Sequence, residues 1–103
     1  MAKKKIIWTE TAARQRRSIL EYWLHRNRSN AYSLKLLKLS NDKAVQIAAN
    51  PLLYKAADFP NTRTASMSHF SLYYKITDDS IIITAFWDNR QDPKKLLEIL
   101  RSK

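Results

Sequence analysis

A chain of 103 residues without a single glycine lacks the residue on which backbone phosphate loops depend. P-loops and dinucleotide-type loops need glycine so that the main chain can approach a phosphate closely. Nucleotide-cofactor folds of those kinds are therefore excluded. Any phosphate must be held by side chains. Arginine suits that task best, because its planar fork donates two hydrogen bonds at once. There are no cysteines, and only His25 and His69 offer imidazoles. Disulfides and thiolate metal sites are thereby removed, no cofactor or metal is expected, and a cytoplasmic location fits. The apolar run after Lys3-Lys4-Lys5 is only Ile6-Ile7-Trp8, too short for a signal peptide or a membrane span.

The length suits one domain over residues 1–103 with a single core. Lys4 to Trp8 reads as a short strand. Thr9 is a good N-cap for a helix to about Arg26, with Ala12, Arg16, Ile19, Leu20 and Trp23 at helical spacing. Asn27 to Asn30 is a polar turn. A second helix, capped by Asn30, runs from Ala31 to Ala49 with two apolar stripes (Tyr32, Leu36, Leu39, Ile47 and Leu34, Leu37, Ala44, Ala48). Such a helix is expected to pack against two elements. It ends at Asn50-Pro51 because proline disfavours the helical conformation of the residue before it.

Pro51 to Pro60 is a loop, with Leu52, Leu53, Tyr54 and Phe59 expected on the core. Three strands follow near Thr62–Met67, Phe70–Thr77 and Ser80–Trp87, the last two joined by the turn Thr77-Asp78-Asp79-Ser80. Strand alternation puts Phe70, Leu72, Tyr74 and Ile76 on the core face and leaves Ser71, Tyr73 and Lys75 on an open face. Asp92 caps a last short helix, and Pro93 takes its first position. The fold class is α+β: an N-terminal strand, an antiparallel helical hairpin on a mostly antiparallel four-stranded sheet, and a short C-terminal helix.

The net charge of +10 is concentrated at the front, where residues 1–38 carry ten Lys/Arg against Glu10 and Glu21. A basic field of this kind favours a polyanion or an acidic protein partner.

Five motifs stand in order along the chain: Thr9 to Ala12, Asn50-Pro51, Arg63 opening a strand, Tyr73-Tyr74-Lys75-Ile76 with its acidic turn, and Arg90 with Asp92. In this order and spacing the sequence resembles the RelE/ParE superfamily of bacterial toxins over nearly its whole length. The resemblance implies the toxin of a type II toxin–antitoxin pair, of the plasmid-stabilisation type. By that resemblance it is expected to inhibit growth and to be neutralised by a cognate antitoxin. RelE-like members cut messenger RNA on the ribosome without a metal; ParE-like members poison DNA gyrase.

Two groups common among the cutters are missing. An arginine before the Leu-x-Tyr of the central strand is replaced by Ser71, and a terminal His-Tyr pair is replaced near Asn89-Arg90. The His69-to-Tyr74 strand is closer to the ParE-like pattern. Gyrase inhibition is therefore the leading expectation, with ribosome-dependent RNA cleavage as the alternative. In the cutting case Arg63, Arg90, Lys75 and His69 are the catalytic candidates. Arg63, Tyr73, Trp87, Asn89 and Arg90 are the candidates for contact with target or RNA. Each has an ordinary structural reading beside it. Arg63 can pair with Asp58 or Asp88, Arg90 with Asp88 or Asp92, His69 and Lys75 can be solvated, and Tyr74 faces the core. The run Arg14-Arg16-Arg17 reads as a solvated helix face, with ribosome contact as its alternative. Leu96, Leu97 and Leu100 mark the last helix as an antitoxin-binding element that can leave the sheet and be replaced, the expected partner being acidic and partly disordered.

Overall fold

Thr9 opens the first helix through its side chain: Oγ1 accepts the N–H of Ala12 at 3.1 Å. Asp92 does the same for the last, accepting the N–H of Lys94 at 2.9 Å. Such caps satisfy donors that the first turn cannot pair internally. In the computed structural model, which describes residues 4–27 and 30–101, the order is β1 (Lys5–Trp8), α1 (Glu10–Asn27), α2 (Ala31–Ala49), β2 (Lys55–Ala56), β3 (Arg63–Met67), β4 (Phe70–Ile76), β5 (Ser80–Asp88) and α3 (Pro93–Arg101). Lys3 and the middle of the expected turn at 27–30 lie outside the described residues. Asn30 occupies the N-cap position of α2 without a side-chain bond, so here the cap is positional only.

The sheet order is β1-β5-β4-β3-β2, antiparallel except for the parallel pair β1–β5. A two-residue edge strand, β2, thus joins the four expected ones. It forms because Lys55 and Ala56 pair with Thr64 and Arg63 across the loop. α1 and α2 cover one face of the sheet around Leu36, Ile47, Phe70, Leu72, Tyr74, Ile83 and Phe86. α3 lies with the other face, where Leu96 and Leu100 meet Ala85 and Trp87, with Phe59 and Tyr73 at the margin. The face expected to be open is therefore partly roofed, since an amphipathic helix must bury its apolar stripe somewhere.

Two stripes behave differently from their spacing. Arg16 turns inward: its guanidinium lies 4.0 Å over the Trp8 ring and donates to Ser40 Oγ and Asn41 Oδ1 at 3.2 and 2.7 Å. Burial lowers its pKa. Of the run Arg14-Arg16-Arg17, only Arg14 and Arg17 face solvent. On α2 the buried side is Leu36, Ser40, Ala44, Ile47 and Ala48, whereas Leu34 and Leu39 stay exposed. α2 has the sheet and α1 beneath it and nothing described above it.

The absence of glycine shows at the turns. Two left-handed positions fall to Asn61 (φ 56°) and Ser68 (φ 60°). Asparagine tolerates this region; serine does so at about 1–2 kcal/mol. Ser68 stands in the two-residue turn closed by the Met67–Phe70 pair. Ser68→Gly relieves that strain, less the roughly 0.4–1 kcal/mol of extra unfolded-state entropy that glycine brings. A net gain of about 0.5–1 kcal/mol is expected, seen as a higher urea midpoint at unchanged slope. An unmoved or lower midpoint would show that the serine side chain compensates its own strain.

Candidate functional site

The C-terminal end of β5 is built around a β-bulge. Tyr73 pairs with Ala85 but Tyr74 pairs with Ile83, which leaves Thr84 as an extra residue; its hydroxyl donates to the Tyr73 carbonyl at 3.2 Å. A bulge inverts side-chain parity beyond it. Ile81 and Ile83 face the helical hairpin, but Ala85 and Trp87 face α3, while Phe86 and Asp88 turn to the hairpin side. β1 ends opposite Ile83, so among the described residues β5 has no strand on that flank further along. Gln15 of α1 fills the gap by accepting the Phe86 N–H at 2.9 Å.

Parity divides the candidate residues into two groups. On the hairpin side Arg90 donates through Nε and Nη2 to the two oxygens of Asp88, each at 2.9 Å, and its backbone N–H adds a third bond to Oδ1. The Arg90 guanidinium also lies 5.9 Å over the Phe70 ring. Arg90's hydrogen bond, aided to a lesser degree by its charge and by His69, holds the Asp88 carboxyl below its usual range. Reciprocally, the bond to Asp88 raises the Arg90 pKa. The pair borders a cleft of about 560 Å³ against the second half of α1, with Tyr22, Trp23, Arg26 and Gln91 on its walls. Sequence reasoning missed Tyr22 and Arg26; their spacing of one helical turn, beside Trp23, was the available signal.

On the opposite face, Ser71 donates to Asn89 Oδ1 at 3.0 Å. Tyr73 and Trp87 pack with α3, and Trp87 is only 7% exposed. Beside them a cleft of about 330 Å³ runs between α3 and the β2–β3 edge, lined by Phe59, Tyr73, Leu96, Leu97 and Leu100 among others. Trp87, a candidate for target contact, is thus mostly covered in the fold. Lys75 shares the strand parity of Tyr73, further along β4.

The remaining candidates stand apart. Arg63 pairs with Tyr74, four positions from Phe70, the partner of Asp88. At about 3.3 Å per residue this puts it about 13 Å along the sheet from the Arg90 end. Its guanidinium donates to the Tyr54 carbonyl, so neither Asp58 nor Asp88 is its partner. His69 is exposed in the β3–β4 turn, its carbonyl accepting the Asn89 N–H at 2.9 Å. Tyr74 is fully buried and donates to the Pro51 carbonyl at 2.6 Å. Burial pushes its pKa up to about 12, so the hydroxyl remains a donor at physiological pH. Among the described residues, no three His, Asp or Glu side chains gather where a metal could sit, and no helix is long and apolar enough to cross a membrane.

No curated protein sequence matches the chain. Among solved structures, the chromosomal ParDE toxin–antitoxin system from P. aeruginosa is similar, with a TM-score of 0.71 at 18% identity over 82% of this chain and 94% of that one. At that identity the likeness concerns the fold. The family model for the ParE toxin of the type II toxin–antitoxin system parDE matches residues 6–93, from β1 through the bulged strand to the first residue of α3. With most of its length matched, the chain belongs to the ParE toxin family of type II toxin–antitoxin systems.

Proposed function

We propose that the protein arrests growth by binding DNA gyrase in the cytoplasm without doing chemistry of its own, and that an acidic antitoxin neutralises it. The observation that carries this reading is the dispersal of the groups a phosphodiester cutter would need. A metal-independent nuclease must converge a phosphate grip and a proton carrier on one atom. Here Arg63 is committed to the Tyr54 carbonyl, Lys75 has the opposite strand parity, and Arg90 is bound to Asp88 at the far end of the sheet. The absence of an arginine at Ser71, whose hydroxyl is engaged by Asn89, supports the same reading.

In this reading the Arg90 cleft is the target contact. Its guanidinium is held rigid by Asp88, with aromatic walls from Tyr22 and Trp23. Preorganised arginines beside aromatics are the usual anchors of protein interfaces. The antitoxin acts on the other face, by taking the place of α3 and of its apolar side chains Leu96, Leu97 and Leu100. The cleft beside that helix supports entry of a competing segment there.

The test is a supercoiling and cleavage assay with purified gyrase, run beside a purified translation system probed for new messenger RNA ends. Accumulation of cleaved DNA or loss of supercoiling, with intact message, is the expected result. Discrete ribosome-dependent 5′ ends with unaffected gyrase would replace this reading by RNA cleavage, for which a strongly basic surface is also suited.

A further inference from the structure

Leu52 and Leu53 were expected on the core and instead stand 72% and 73% exposed, the most exposed of the large apolar side chains described. One exposed leucine is unremarkable, but two adjacent ones on an ordered turn are not what solubility favours. The turn is held from beneath at both ends. Tyr74, at 0% exposure, donates to the carbonyl of Pro51, and Arg63 donates to the carbonyl of Tyr54. Between them the Leu53 N–H donates to the Asn50 carbonyl at 3.1 Å, closing the turn that ends α2. Two inward-facing side chains, one a buried hydroxyl that stays protonated and one a guanidinium, therefore fix a convex pair of leucines in place.

Charge decides what the tip fits. Lys43 places its ammonium 5.5 Å over the Tyr54 ring, Lys55 follows in the chain, and Arg63 reaches the same residue from below. Asp42, the carboxylate next to Lys43, is taken by Lys38 at 2.8 Å. An apolar knob with a basic collar is complementary to an apolar pocket with an acidic rim. A second copy of this chain, with its net charge of +10, offers the wrong sign. A folded protein offers such a pocket ready-made, and a turn already held by its own hydrogen bonds gives up little freedom on entering it.

We infer that Leu52 and Leu53 form a second docking point for the folded protein that the toxin inhibits, seated in an apolar pocket rimmed by carboxylates. This rests on the reading of the protein as a binding toxin and adds a contact remote from Arg90. The test is the variant Leu52→Ser with Leu53→Ser in the full chain, measured for growth arrest on induction, for inhibition of purified gyrase, for complex formation with the co-expressed antitoxin, and for mass by light scattering. Both side chains are at the surface, so the thermal midpoint should hold within a degree or two. Loss of about 30-fold or more in inhibitory potency is expected, with the antitoxin complex and the mass unchanged. Leu52→Met with Leu53→Met should keep most of the potency, and Lys43→Glu with Lys55→Glu should lower it in a salt-dependent way.

Undiminished growth arrest by the serine variant would overturn the inference. So would loss of the antitoxin complex with arrest retained, which would give the knob to the antitoxin, or a change in mass, which would give it to a second copy. If the unaltered protein leaves gyrase untouched, the gyrase reading alone falls. The growth-arrest comparison still decides the knob, because it does not require the target's name.

Discussion

Arg90→Ala is expected to abolish growth arrest while the protein stays folded. Arg90 is half exposed and its side chain lies on the surface of the domain, so little packing is lost with it. What disappears is a guanidinium that Asp88 and the Phe70 ring hold in one orientation at the mouth of a cleft. Anchors of this kind lower affinity by about 30-fold or more when truncated. Asp88→Asn is the companion variant. It keeps the cation but loosens its hold, so an intermediate loss is expected. The pair also has a signature in acid. The Asp88 carboxyl is held below its ordinary value chiefly by Arg90, so its contribution to stability is present above the unfolded carboxylate range, about 3.9. That contribution is lost as pH falls through the lower folded value. In Arg90→Ala the main cause of the shift is gone, and the loss of stability below about pH 4 should be shallower. Thermal unfolding across the acid range measures this separately from toxicity. Full growth arrest by a folded Arg90→Ala would remove the cleft from the target contact.

Much of the fold was legible because local chemistry and global arrangement agree. Thr9 and Asp92 cap helices through their side chains. Asn50-Pro51 ends α2. In the turn Thr77 to Ser80, the Thr77 hydroxyl and backbone are bonded to Ser80. β4 alternates as written, with Phe70, Leu72 and Tyr74 all inward.

The readings that strayed depended on long-range pairing, which a single sequence does not display. The bulge at Thr84 leaves no mark in Ser80–Trp87, which reads as one apolar strand. Alternation separates Trp87 from Asp88 in any strand, and the bulge decides which face each takes, turning Trp87 to α3 and Asp88 to the hairpin side. Arg16 reads as a surface arginine until Trp8 and Asn41 are found around it. Arg63 reads as a grip for phosphate or partner, or as the partner of Asp58 or Asp88, whereas in the fold its guanidinium donates to the Tyr54 carbonyl. Leu52 and Leu53, predicted for the core, lie outside it on a turn whose flanking carbonyls are bonded to Tyr74 and Arg63.

The largest structural effect is expected at α3. Leu96→Ala with Leu100→Ala removes both side chains that bury the helix against Ala85 and Trp87. Each such change costs about 2–5 kcal/mol, together as much as a domain of this size usually has in reserve. The loss should nevertheless be local. The larger core around Phe70, Tyr74 and Ile47 lies on the opposite face and includes no α3 residue. A nine-residue helix does not persist alone in water. α3 should therefore melt while the hairpin and sheet remain. Trp87 reports this, because it lies in the α3 cluster, whereas Trp8 and Trp23 pack on the hairpin side. Part of the tryptophan emission should shift to the red with the remainder unchanged, and amides from Leu96 to Leu100 should lose protection from exchange. If all emission shifts together at one lower denaturant midpoint, α3 belongs to the single cooperative unit and is not a separable cover. The same variant tests how the antitoxin engages that face. A partner that must first displace α3 binds more weakly by the fraction of time the face is covered, and releasing the helix removes that penalty. Tighter antitoxin binding by the double variant is the result expected for replacement of α3; weaker binding would mean that the antitoxin grips Leu96 and Leu100 themselves.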